Sequence, residues 1–246
     1  MSSSAITVYW SIDTNQDIQP NNLFSELIKQ RNQENLYEGT FFSCPAISNL
    51  FKNTFVFRSN HNFQYSYSHF FPKMNIVLDG PEYPTPQVDH SAALSFGPQI
   101  RKKDTYLFFT EEESLLATFT APYFHQSKYQ NYGSVFPGSF DIGSWFRQYT
   151  CEFQMWQNIG KFKIEHGEPL FYVNFNTDKK IILKEFKNTS KITEYAIYCM
   201  DSIHRDGKRL SLKSRYDLFK NKFNIKDLIL KEIKNNLVIH NELEIK

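Results

Sequence analysis

The chain has 246 residues, 41% of them hydrophobic and 22% charged, with a net charge of +2. That length suits one large domain, or a domain with an appendage, and can bury a sizeable core. Near-neutrality excludes a strong global attraction to nucleic acid or membrane, and no apolar run approaches the ~20 residues a bilayer-spanning helix needs.

The N-terminal MSSSAITVYWSID lacks a basic segment followed by an apolar one, so no secretory signal is read there and a cytoplasmic location is expected. The cysteines, Cys44, Cys151 and Cys199, are far apart and form no CxxC pair, which fits neither a disulfide framework nor a zinc knuckle. Cys151 and Cys199 fall on apolar stripes and read as small buried hydrophobes in a reducing compartment. Aromatic residues make up 17% of the chain. Because Phe, Tyr, Ile, Lys and Asn are all abundant, AT-rich coding explains this more simply than a stacking surface for bases or sugars.

In chain order, ITVYW at 6–10 alternates as a first strand. NNLFSELIKQRNQ follows Pro20 and sets Leu23, Phe24, Leu27 and Ile28 on a helical stripe, with Asn21 or Asn22 as cap. GTFFSC reads as a strand stopped by Pro45. NTFVFRSNHNFQYSY reads as a hairpin, with Phe55 and Phe57 going out, Phe63, Tyr65 and Tyr67 coming back, and a turn at 59–62. From Ile76 to Ile100, Pro81, Pro84 and Pro86 predict an extended loop without regular structure, strands resuming near 92–96 and at DTYLFF. TEEESLLATF fits either a capping box from Thr110 to Glu113 or a tight acidic turn.

A turn-rich connection then leads to FDIGSWFRQYTCEFQM at 140–155. At period two it places Trp145, Arg147, Tyr149, Cys151, Phe153 and Met155 on one face. KFKIEHGEPLFYVNF reads as a second hairpin turning at His166-Gly167, and KKIILKEF as a further strand. From Ser190 the period changes to 3.6. Ile192, Tyr195, Ala196, Cys199, Met200 and Ile203 make one stripe. Leu212, Tyr216, Phe219 and Phe223 make a second, behind a Ser211 cap. Ile225, Leu228, Ile229 and Ile233 make a third, behind Asn224. Strands first and helices last predict an α+β fold: an antiparallel β-rich sandwich or jelly-roll-like body at 1–187 with one N-terminal helix, and a helical segment at 188–246 packed on or beside it.

No phosphate-binding glycine loop, G-x-S-x-G elbow or HExxH is present. His90, His125, His166 and Glu168 could supply a two-histidine-one-carboxylate iron site of the non-haem oxygenase kind, but the HxD or HxH spacing of such jelly rolls is missing and His166–Pro169 reads more naturally as a turn. Asp79, Glu82 and Asp89 cluster in one loop, as surface carboxylates commonly do. Whether the chain is an enzyme, and any metal or cofactor, stays open at this level. From Lys184 onward 14 Lys/Arg face 9 Asp/Glu, a net of +5, so the rest carries −3. Lys208, Arg209, Lys213, Arg215, Lys220 and Lys222 would suit phosphates, although Asp201, Asp206, Asp217, Asp227 and Glu232 are interleaved.

Arg147 is the residue at odds with its strand. A guanidinium between Trp145 and Tyr149 can stack on either ring, and if buried it needs a carboxylate, for which Asp79, Asp89 and Asp141 are candidates. A structural ion pair pinning the proline loop is favoured over a ligand-binding arginine. Asp89, His90, Trp145, Arg147 and Tyr149 form the candidate binding set.

Several phrases, VYWS at 8–11, CPAI at 44–47, KNTFVF at 52–57, FDIGSWFRQ at 140–148, GEPLFYVNFNTDKKIILKEF at 167–186 and YDLFKNKFNIKDLILKEIKNNL at 216–237, resemble a family of tailed-bacteriophage proteins of marine bacteria without an assigned activity. The resemblance implies a viral product in a bacterial cytoplasm, or in the virion, and transfers no catalytic residue. The expectation is a non-enzymatic interaction, virion or assembly module with a phage or host protein partner. An iron oxygenase-like enzyme and a nucleic-acid-binding accessory are the alternatives.

Overall fold

The computed structural model describes residues 5–13, 25–27, 44–45, 50, 52–59, 62–70, 73–78, 87–88, 99–201, 204–205, 208–221 and 225–238. In chain order the strands begin with β1 (Ile6–Asp13), β2 (Ser25–Leu27), β3 (Thr54–Arg58), β4 (Phe63–Phe70), β5 (Lys73–Leu78) and β6 (Gln87–Val88). Next come β7 (Gln99–Thr110), β8 (Leu116–Thr120), β9 (Gly133–Val135), β10 (Gly138–Asp141) and β11 (Gln148–Met155). The series ends with β12 (Ile159–Ile164), β13 (Pro169–Phe175), β14 (Ile181–Glu185), β15 (His204–Arg205) and β16 (Lys208–Arg209). The helices are α1 (Ser190–Asp201), α2 (Leu212–Asn221) and α3 (Ile225–Asn235).

A first sheet runs β14-β1-β7-β11-β9, with β6 also on β7, and a second runs β10-β8-β13-β3-β2. Every described pairing is antiparallel except β1 with β14. The period-two pattern decides what lies between the sheets. Val8, Trp10, Tyr106, Phe108, Cys151 and Phe153 of the first meet Phe57, Phe119, Phe171 and Val173 of the second in one buried core. Phe57 stacks on Phe171 at 5.3 Å, and Trp10 and Phe108 meet Phe57 edge-on. Each such ring contributes about 1.5–3 kcal/mol by burial.

The alternate residues Tyr9, Leu107 and Phe109 point the other way. With Trp145, Phe146 and Phe186 they form a second core against Ile192, Ala196 and Cys199 of α1, Phe219 of α2 and Ile225, Ile229 and Ile233 of α3. The first sheet is therefore buried on both faces around β1 and β7. The fold is α+β, a sandwich-like half-barrel capped on one side by a three-helix C-terminal segment. Helix starts follow the expected chemistry: Thr189 Oγ1 accepts the Ile192 N–H, and Ser211 Oγ accepts the Ser214 N–H at 3.1 Å.

Several local expectations need correction. At the three described residues of the stripe expected to be a helix after Pro20, Ser25–Leu27 is instead an edge strand on Phe55–Phe57. A short apolar run does not distinguish helix from strand by period alone. The remainder of that stripe, the GTFFS strand and residues 92–96 lie outside the described residues. Within the proline-rich loop Gln87–Val88 pairs with Ile100–Arg101, and Ile76–Leu78 belongs to β5. Glu111–Ser114 is the tight turn, with Ser114 in the left-handed region at φ 59°.

Neither expected hairpin forms. β3 pairs with β13, while β4 pairs with β12 in a third sheet, β12-β4-β5. Ile164 faces Phe63 and Pro169 faces Arg58, so the two ladders share one register across a corner. There the Ser59 N–H donates to the Glu168 carbonyl, the Gly167 N–H to the Ser59 carbonyl and the His166 N–H to Asn62 Oδ1. The pairing thus passes from one sheet into the next, and Ser59, Asn62 and Glu165–Glu168, which looked like turn residues, line that corner.

Candidate binding site

The stretch around Arg147 begins with a turn. Asp141 ends β10, and its Oδ1 accepts the N–H of Gly143 at 2.9 Å and of Ser144 at 3.0 Å. Only glycine fits at 143, because a Cβ there would fall 1.9 Å from the Glu112 carbonyl oxygen. β11 starts at Gln148, so Trp145, Phe146 and Arg147 precede the strand. Trp145 consequently leaves the face on which the alternation placed it. It joins the helix-side core, its Nε1–H reaching the Cys199 carbonyl at the end of α1 at 3.4 Å. Tyr149, Cys151, Phe153 and Met155 do share the sandwich core.

Arg147 is half-buried and held by rings. Its guanidinium carbon lies 4.8 Å from the Trp145 centroid and 5.4 Å from that of Phe140, and its Nε–H donates to the Gln148 carbonyl at 3.1 Å. Tyr149 stacks on Phe119 at 3.8 Å. Of the three candidate carboxylates, Asp79 and Asp89 lie outside the described residues, as does His90, and Asp141 Oδ1 serves the turn.

A second guanidinium reaches the same indole. Arg215 of α2 lies 5.4 Å from the Trp145 centroid, and its Nε and Nη2 both donate to the Leu210 carbonyl, at 3.1 and 3.0 Å. Tyr216 beside it meets Trp145 edge-on at 6.0 Å and accepts the Asp141 N–H at 2.9 Å. Burial pushes the Tyr216 hydroxyl pKa up and the Asp141 carboxylate adds to this, while the Asp141 N–H and the two guanidinium charges pull it back. The Asp141 carboxylate thus shares this corner with two fixed guanidiniums. Arg215 and Tyr216 were absent from the sequence-based set because they sit one after the other on a helix, with some seventy residues between them and Trp145. The Ser211 cap was legible, but not the ring that α2 covers.

The other candidates are dispersed. Glu168 Oε1 accepts the N–H groups of Lys128 and Tyr129, at the start of a short 3-10 helix (Lys128–Asn131), and Oε2 accepts that of Glu165. Its carboxylate is a structural clamp at the bend. His166 is exposed. His125 Nδ1 lies 2.5 Å from the Tyr172 hydroxyl, which also accepts the Phe124 N–H at 3.2 Å. The Tyr172 hydroxyl thus engages the His125 ring within the protein. Among the described residues no group of three or more His, Cys, Asp or Glu side chains could hold a metal ion. No described helix is long and apolar enough to cross a membrane.

Fold and corner together define a helix-capped β-sandwich in which two guanidiniums meet one buried indole at the seam between sheet and cap. Compared with known protein families, with curated proteins and with solved structures, the chain matches none.

Proposed function

We propose that this chain is a non-catalytic interaction module that receives an acidic group of its partner at the Trp145 corner. The observation that carries the reading is the convergence of Arg147 and Arg215 on one buried indole. Like charges set close together and only half-buried favour a counter-charge, and the Asp141 carboxylate lies in the same neighbourhood around Tyr216. Each guanidinium is pre-oriented by a ring and by a backbone carbonyl, so little side-chain freedom remains to be lost when an anion docks. The phrases resembling tailed-phage proteins support a phage or host component of an infected bacterium as the partner.

Calorimetric titration with two generic polyanions, polyglutamate and inorganic polyphosphate, tests the reading. Binding of at least one is expected, weakened tenfold or more in Arg147→Gln/Arg215→Gln while the unfolding temperature shifts by only a few degrees. Wild-type protein that binds neither, or a double variant that binds as well as wild type, overturns it.

A further inference from the structure

The turn that delivers Trp145 also forms part of a cleft of about 270 Å³ between the sandwich and the helical cap. The turns at Glu113 and Ser144 stand on the sandwich side, and the end of α2 and the start of α3 on the other. Phe219 and Ile225 supply its apolar lining, and both are rooted in the helix-side core, where Phe219 meets Phe109 edge-on at 6.1 Å. Lys226 Nζ donates to the Glu111 carbonyl at 3.0 Å, and Lys234 pairs with the Glu111 carboxylate at 2.7 Å. The two sides are therefore braced against each other, and the cleft is held in shape by the fold.

Ser144 is only 3% exposed, yet it lines this cleft. Its N–H donates to Asp141 Oδ1, so the turn uses its backbone and makes no demand on its hydroxyl. No described residue hydrogen-bonds that hydroxyl, and buried polar groups are as a rule paired. Charges of both signs surround it, Glu113 and Asp227 against Lys220 and Lys226. Lys226 is engaged by the Glu111 carbonyl. Glu113, Lys220 and Asp227 are exposed and form no ion pair with any described residue.

We infer that this cleft binds a free α-amino acid with a short aliphatic side chain, at a site separate from the Trp145 corner. The Ser144 hydroxyl and the Lys220 ammonium receive its carboxylate, Glu113 and Asp227 receive its ammonium, and Phe219 and Ile225 cover its side chain. Charge balance selects the class. An inorganic anion would meet two carboxylates, a simple cation would meet two lysines, and an apolar molecule would leave the buried hydroxyl unpaired. A zwitterion meets an opposite charge at each end. Size narrows the choice. The cleft, at about 270 Å³, is smaller than the ~300–1,000 Å³ of pockets for drug-sized ligands. At the ~30 Å³ that one water takes in the liquid, it suits about nine non-hydrogen atoms, the size of valine, leucine or methionine. The braced walls leave little to be ordered when the ligand docks.

The experiment is isothermal titration calorimetry of the full chain with L-valine, L-leucine and L-methionine. Each is run beside the carboxylic acid and the amine that lack one of its two charges. At least one amino acid is expected to bind with a Kd below about 1 mM, and its one-charge analogues about tenfold or more weakly. Ser144→Ala and Lys220→Gln should each weaken that binding about tenfold, and in the wild type the amide shifts of Gly143, Ser144 and Lys226 should move on titration. If Ser144→Ala fails to fold, Lys220→Gln and Asp227→Asn, at exposed positions, carry the test. Lys161→Gln, on exposed β12 surface, should bind as wild type. So should Arg147→Gln/Arg215→Gln, which keeps this inference distinct from the acidic-group reading of the Trp145 corner. The inference is overturned if none of the three amino acids binds, or if an analogue binds as tightly as its parent. Unchanged affinity in both Lys220→Gln and Asp227→Asn, or an equal loss in Lys161→Gln or in the double arginine variant, overturns it as well.

Discussion

The Tyr216 hydroxyl accepts the backbone N–H of Asp141 at 2.9 Å, which ties α2 to the end of β10. That bond joins the helical cap to the sandwich at the turn that delivers Trp145. Tyr216→Phe keeps the ring on Trp145 but leaves the Asp141 N–H without this acceptor, an expected cost of about 1 kcal/mol. Urea unfolding measures the cost, and amide exchange at Asp141 should quicken in the variant. Unchanged stability and unchanged exchange would show that the bond is not maintained in solution.

A second tie has a pH signature. The buried Tyr9 donates its hydroxyl proton to Glu111 Oε1 at 3.0 Å, and the same oxygen pairs with Lys234 of α3. Burial, then the Glu111 bond and its charge, push the Tyr9 pKa up to about 12. A raised folded-state pKa means that stability is fully present below the unfolded value near 10 and is lost as pH rises toward 12. Tyr9→Phe should therefore flatten the alkaline limb of stability by up to one proton over pH 10–12. Parallel limbs for the two proteins, from urea midpoints across that window, would refute the assignment.

At the bend, Glu168 closes three backbone N–H groups with one carboxylate. Glu168→Gln retains a carbonyl oxygen and can serve one side, whereas Glu168→Ala serves neither. The expected order of stability is wild type, Gln, Ala, with about 1–3 kcal/mol between the extremes. Amides of Lys128 and Tyr129 should lose protection before those of β13. An iron-binding role for this carboxylate would instead leave the fold stability of Glu168→Ala near that of wild type.

These relationships show where sequence reading stops. Alternation identified most of the strands because Phe55, Phe57, Phe171 and Val173 each alternate on their own strand, whatever they pair with. It could not identify partners, since Ser59–Asn62 and Glu165–Glu168 have turn composition whether they close two hairpins or bend one ribbon. The helical cap was legible from Ile192, Ala196 and Cys199 and from the Ser211 cap. That it covers the back of β1 and β7 is visible only afterwards, in the apolar identity of Tyr9, Leu107 and Phe109, where a one-sided sheet would be polar. Arg147 stood out because it broke an apolar face, and the actual break was in the strand itself, which starts one residue later. Its second partner ring, Phe140, and its fellow guanidinium, Arg215, come from elements that no local pattern connects to it.

Arg147 itself separates stacking from charge. Its guanidinium meets Trp145 and Phe140, and such contacts are worth about 0.5–1 kcal/mol when exposed and ~2 when desolvated. Arg147→Met keeps an unbranched stem over both rings while removing the charge, so a loss of at most about 1 kcal/mol is expected. Arg147→Ala uncovers Trp145 and should lose about 2 kcal/mol. Arg147→Lys keeps the charge without the planar stack and should fall between them in stability while retaining most of the affinity for an anion. Met should show the converse, near-native stability with weakened anion binding. Equal destabilisation by Met and Ala would mean that the charge, not the stem, holds the residue in place, and would return Arg147 to the role of a buried ion-pair partner.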